Sequence, residues 1–305
     1  MRWAAAVLVI AWGCAKSPAG ESARVDPSTA IAPLDAGTPD AAPLVDGGPL
    51  PAHRDLPDVA AAMREILATH PRVIGFGELH ARTDRAQVAS SLAHFTDEVL
   101  PLVADQLSDL VLETWVVDKQ CGAAGTAATA QVESAMRRPA ATKSELATLV
   151  ERARAAAIQP HAMRLTCADF AKVAPPGQEL QIEILLDLIT RELGRIAIEA
   201  VHHRDADPKA RPLVATYGGA LHNDLYPYGS VSSWSFAAAV AKATGDRYVE
   251  VDLYVPELAR GDALSEREPW YPLIDQAGPD HVVLIERGPR SYIVLLPTTP
   301  GAKAP

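Results

Sequence analysis

Two apolar runs in this chain end in the same way, and that ending constrains the fold most. Val73-Ile74-Gly75-Phe76-Gly77-Glu78-Leu79-His80 passes from apolar residues through glycine to a carboxylate and an imidazole. Leu213-Val214-Ala215-Thr216-Tyr217 passes through Gly218 and Gly219 to His222-Asn223-Asp224. Short, near-continuous apolar runs are strands buried on both faces, the kind found in parallel sheets covered by helices. A third run, Leu110-Val111-Leu112, ends in Glu113. Open α/β sheets bind ligands outside the carboxyl ends of their strands, so three strands delivering Glu and His there predict one polar site.

The remaining pattern supports such a sheet. Val59, Met63, Ile66 and Leu67 recur at helical spacing, with Asp55 as a possible N-cap. A helix is expected over 84–107, broken or kinked at Pro101. A strand follows at 109–112. The Ala-, Gly- and Thr-rich stretch 121–130 reads as a loop, 145–157 as a helix and 158–165 as a strand containing His161. Ile182, Leu185, Leu186, Ile189 and Leu193 form the core stripe of a long helix over 178–202. A helix over 234–244 stops at Gly245, 248–254 alternates like a strand, and 281–285 with 291–296 forms a hairpin around Gly288-Pro289. The prediction is a layered α/β fold: a mostly parallel central sheet flanked by helices, with an antiparallel C-terminal hairpin. One domain over 56–298 and a disordered tail over 299–305 are expected.

The first residues read as a targeting segment. Arg2 precedes an apolar stretch too short to span a bilayer, and Ala11-Trp12-Gly13-Cys14 resembles a bacterial lipobox with Cys14 as the lipidated residue. An ordinary cleaved signal peptide is the alternative, and Trp12 is bulkier than the lipobox favours. Residues 15–55 are rich in Pro, Ala, Asp and Gly and lack apolar periodicity, so they read as a disordered tether. These features place the protein in the bacterial cell envelope, anchored to a membrane through Cys14. Of three cysteines, Cys121 and Cys167 then remain for a disulfide, or stay free as small hydrophobes. The net charge of −10 excludes a nucleic-acid binder.

Imidazoles and carboxylates at converging strand ends serve two chemistries. Glu78, His80, Glu113 and His222 are candidates for acid–base work on a bound water. His80, His222 and Glu113 are also candidate ligands of a divalent transition metal. His161 is either a fourth member or a satisfied structural histidine. Glu113 could instead pair with an arginine such as Arg82. Tyr217, Tyr226 and Tyr228 flank the second histidine; a phenolate there can ligate haem iron, or the rings simply pack and anchor. No Gly-x-Ser-x-Gly elbow, His-Glu-x-x-His helix or Gly-Lys-Ser/Thr phosphate loop is present.

Gly77-Glu78-Leu79-His80, the strand ending in Glu113, and Gly219-Ala220-Leu221-His222 with Pro227 beyond it are similar to a pattern shared by three groups. These are ChaN-like haem-binding lipoproteins, Tiki and TraB-type metalloproteases, and erythromycin esterase-like hydrolases. The resemblance is nearest to the ChaN-like group and spans roughly 72–296. It implies an α/β fold with Glu78, His80, Glu113 and His222 in one cleft. The esterase-like relatives imply water activation, the Tiki-like a divalent metal, and the ChaN-like haem held by tyrosine. The expected protein is thus a hydrolase acting on a small-molecule or peptide ligand, with a non-catalytic haem- or ligand-binding lipoprotein as the alternative.

Overall fold

A computed structural model describes residues 49–299. The lipobox-like Cys14, the tether up to residue 48 and the tail from Pro300 lie outside the described residues. The strands are β1 (Ala52–Leu56), β2 (Val73–Glu78), β3 (Leu107–Val117), β4 (Gln159–Leu165), β5 (Leu213–Gly219), β6 (Tyr248–Tyr254), β7 (Val282–Gly288) and β8 (Ser291–Leu295). They form one eight-stranded sheet in the order β1-β7-β8-β6-β2-β5-β3-β4. β2 runs parallel to β5 and β6, and β3 parallel to β4 and β5. β7 and β8 form the expected antiparallel hairpin. β1 is antiparallel to β7, so it runs in the same sense as the parallel strands.

The helices cover both faces. α1 (Val59–Leu67), α2 (Ser91–His94), α3 (Leu100–Val103) and, later in the chain, residues 141–155 lie on one side. There Ile74, Phe76, Leu110, Leu112 and Val251 pack against Met63, Ile66, Phe95 and Leu149. α4 (Gly122–Met136), α6 (Cys167–Val173), α7 (Ile182–Asp205) and α9 (Ala237–Ala243) cover the other side, α5 being the 141–155 helix (Ala141–Ala155). Two single-turn helices, α8 (Ala220–Asn223) and α10 (Pro256–Ala259), follow β5 and β6 at the carboxyl edge. No described helix is long and apolar enough to cross a membrane.

Several elements differ from expectation. Asp55 lies in β1 opposite Val283, and the N-cap of α1 is Asp58, whose carboxylate accepts the Ala61 N–H at 2.7 Å. The folded domain thus starts before residue 56. The polar composition of β1 suits an edge strand, which solvates one rim. Residues 121–130 form most of α4 rather than a loop. α4 buries only Gly125, Ala128 and Val132, so it carries no large apolar stripe to betray it. The helix expected over 84–107 is a turn at Thr83–Arg85 followed by helix from Ser91 to Val103, widened into a π segment at Phe95–Val99. Pro101 has no N–H to offer the preceding turn, and just before it Leu100 N–H reaches back to Phe95 C=O. Thr299 N–H donates to Glu257 Oε1 at 2.5 Å, so the fold extends one residue beyond 298.

Candidate active site

The site forms where β2 and β5 end, and where β3, expected to stop at Leu112 but running on to Val117, passes Glu113. Glu78 is opposite Gly219 in the parallel β2–β5 register, and Leu112 is opposite Tyr217. Side chains alternate along strands, so Glu78 and Tyr217 share the face packed by Phe95, while Glu113 emerges on the opposite face. The β3–β4 ladder shifts register between Leu112 and Trp115, which takes Glu113 out of regular pairing. His80, two residues past the tip of β2, bridges the faces. Its Nδ1 lies 2.6 Å from Glu78 Oε1 and its Nε2 3.5 Å from Glu113 Oε1. A Cβ on Gly218 would sit 2.7 Å from Glu113 Oε2, and one on Gly219 would sit 3.0 Å from His80 Nε2. Both glycines therefore serve close approach.

Each group is fixed by a second partner. Tyr217 Oη–H donates to Glu78 Oε2 at 2.5 Å, and Gly219 N–H donates to Glu113 Oε2 at 2.5 Å. His222, on α8, has Nδ1 3.0 Å from Trp234 C=O and 2.8 Å from Thr190 Oγ1. A carbonyl only accepts, so Nδ1 carries the proton and Nε2 is left with its lone pair. Burial lowers the His222 pKa, although Glu113 opposes it, so the ring is neutral at pH 7. For His80, burial and Arg138 disfavour the charged form, but Glu113 and Glu78 outweigh them and raise the pKa above the ordinary imidazole value. For Glu113, burial favours the acid, yet His80, His222 and Arg138 hold it well below the usual carboxylate range.

Arg138, two residues past α4, enters this space unannounced by any motif. Its Nη2 lies 2.7 Å from His80 Nε2 and 3.2 Å from Glu113 Oε1, and its buried Nε–H has no partner. A guanidinium only donates, so the shorter contact sets His80 as the Nδ1–H tautomer while Arg138 is in place. Glu113 thus pairs with Arg138, whereas Arg82 pairs with Asp84 at 3.2 Å.

The structure joins Glu78, His80, Glu113 and Tyr217 in one contact network, sets His222 near enough to feel the charge of Glu113, and leaves two candidates out. His161 lies early in β4, opposite Val111, with Nε2 2.7 Å from Asp109 Oδ1. Tyr226 is exposed and donates to Pro289 C=O at 2.9 Å. A divalent metal does not fit: the Arg138 cation fills the gap between His80 and Glu113, and no three His, Cys, Asp or Glu side chains among the described residues are arranged to hold a metal ion. Tyrosinate ligation of haem does not fit either. Burial and Glu78 push Tyr217 well above the ordinary phenol value, so it stays protonated on Glu78.

Behind His222, Asn223 Nδ2–H donates to Gly75 C=O at 2.9 Å and to Asp252 Oδ1 at 3.2 Å. The glycines of β2 here serve space: a Cβ on Gly77 would lie 2.0 Å from Asp252 Oδ1. Arg287 pairs with Glu250 at 2.8 Å, Asp224 at 3.2 Å and Asp252 at 3.7 Å. One arginine does not compensate so many buried acids. Burial and Asp224, against Arg287, raise Glu250 to about 7, and burial and Glu250 raise Asp252 well above its ordinary value. Beside the site, Cys121 at the start of α4 is disulfide-bonded to Cys167 at the start of α6, with Cα atoms 5.1 Å apart.

No protein-family model matches this chain, and no curated protein does. Among solved structures, the type III effector HopBA1 is similar at TM-score 0.40 and 12% identity, over 83% of this chain and 100% of that one. RRSP, a MARTX toxin effector domain from Vibrio vulnificus CMCP6, is similar at TM-score 0.29 and 19% identity, over 52% of this chain and 29% of that one. Likeness at this level assigns no activity.

Proposed function

We propose that this protein is a hydrolase of the cell envelope that activates water by acid–base catalysis at the Glu/His cleft. The observation that carries this reading is the pair of histidines driven in opposite directions across one glutamate. Two titratable groups with pKa values pushed apart are the signature of a base and an acid working together. His222 Nε2 takes a proton from water as it attacks an acyl carbon. Arg138 turns from His80 to the substrate oxygen, where its N–H groups stabilise the developing negative charge. His80, released from Arg138 and held by Glu78, takes a proton from solvent on Nε2 and gives it to the leaving group as the acyl bond breaks, and the proton that His222 took from water returns to solvent. Glu113 orients Arg138 and keeps the cleft charge-balanced. The substrate is a small-molecule or peptide ester or amide. Anchoring through Cys14 belongs to the same proposal, supported by a disulfide that suits an oxidising compartment.

Purified protein assayed against chromogenic esters and peptides tests this. The pH–rate profile should be bell-shaped, with the acid limb below pH ~6.5 set by His222 and the alkaline limb above it by His80. His222→Ala should lower kcat by about 10²- to 10⁴-fold and His80→Asn should remove the alkaline limb. Hydrolysis that survives both substitutions would defeat the assignment, as would full dependence on added metal.

A further inference from the structure

At the opposite, amino edge of the sheet lies an open cleft of about 420 Å³ lined by Arg72, Arg204 and Arg247 together with Asp205 and Gln106. The topology concentrates these residues there. Arg72 and Arg247 immediately precede β2 and β6, which are neighbours, and Arg204 and Asp205 end α7. We propose that this cleft is a binding site for a phosphate-class oxyanion, held by the three guanidinium groups.

The charges do not cancel. Asp205 pairs with Arg72 and accepts from Arg204 Nη2 at 2.5 Å. The carboxyl ends of α1 and α7 each add roughly half a negative unit. Set against three guanidiniums, these leave about one positive unit. Arg247 forms no ion pair among the described residues, although its guanidinium is exposed at the cleft. Arg204 is only 8% exposed; its Nη1 donates to Pro212 C=O and its Nη2 to Asp205, so the donor it has left for an oxyanion is its buried Nε–H, which has no partner. Burial lowers the Arg204 pKa, and repulsion from Arg72 and Arg247 adds to this against the attraction of Asp205. In a protein of net charge −10, an anion gains nothing from the overall field, so any affinity here is local. Guanidiniums arriving from three separate segments suit an oxyanion with several acceptor oxygens. Free phosphoesters and phospholipid headgroups both supply one.

The test uses the full chain. Inorganic phosphate is titrated while the arginine side-chain resonances are followed by NMR, and phosphatidylglycerol vesicles are tested by co-sedimentation. Phosphate should shift the Arg204 and Arg247 signals. Arg247→Gln should weaken binding about tenfold, the loss of one charged hydrogen bond, whereas Arg164→Gln on exposed β4 should not. Weakened binding of phosphate and vesicles alike assigns a lipid headgroup; weakened binding of phosphate alone assigns a soluble phosphoester. Unmoved Arg204 and Arg247 signals, or equal affinity in Arg247→Gln and the parent, would overturn the proposal.

Discussion

Tyr217 holds the site from the core side. Its hydroxyl fixes one oxygen of Glu78 so that the other faces His80, and its ring is locked against Phe95 at 4.5 Å between centroids. Tyr217→Phe keeps that packing and removes one hydrogen bond to a buried carboxylate. The expected loss is about 1–3 kcal/mol of stability by urea denaturation, with kcat lowered more than KM raised. Arg138→Ala should lower kcat/KM by about 10²- to 10³-fold, as for a lost oxyanion donor, and Arg138→Lys should recover part of it, as read from steady-state kinetics. Glu78, His80, Glu113 and His222 were legible in the sequence because apolar runs pointed at them. Arg138 was not, because Arg137-Arg138-Pro139 looks like any basic helix end. His161 stayed open between site member and structural histidine because strand position alone does not separate the two, and its contact with Asp109 supplies the structural partner.

α4 shows why some elements escape a reading by pattern. Its helix propensity comes from alanine, while its glycines and threonines suggest a loop, and it packs through small residues. β2 and β5 had no such ambiguity, since both are buried throughout and mostly apolar with glycines near their carboxyl ends, whereas β3 outran its apolar core of 109–112. β1 was hidden by polarity that only an edge tolerates. α4 therefore owes more to its disulfide than a helix with a full apolar stripe would. The Cys121–Cys167 bridge spans 46 residues, which stabilises the fold by up to about 4 kcal/mol in the chain-entropy model. Cys121→Ser/Cys167→Ser should lower the denaturation midpoint accordingly. Loss of hydrogen-exchange protection should begin in α4, and unchanged protection there would contradict this account.

The acids around Arg287 give the whole molecule a pH dependence. Glu250 binds its proton more tightly folded than unfolded, with a pKa of about 7 against the ordinary 4.5, so stability falls as pH rises between those values. Glu113 has the opposite sign: its contribution is complete above its ordinary value and is lost as pH falls below it. Stability should therefore peak near pH ~4.5 and drop by about 3 kcal/mol toward pH ~8, with Glu250→Gln flattening the alkaline side. Urea melts across that range check this; stability that rises toward pH ~8 would show that the cluster is not protonated. One further consequence comes from the direction of β1. Because it runs with the parallel strands, Ala52 comes level with Phe76 through the β7, β8 and β6 registers, two residues or roughly 7 Å short of Glu78 along the strand direction. As the edge strand, four places from β2, β1 receives the chain roughly 19 Å to the side of Glu78 and His80, so the entering segment need not cross those groups.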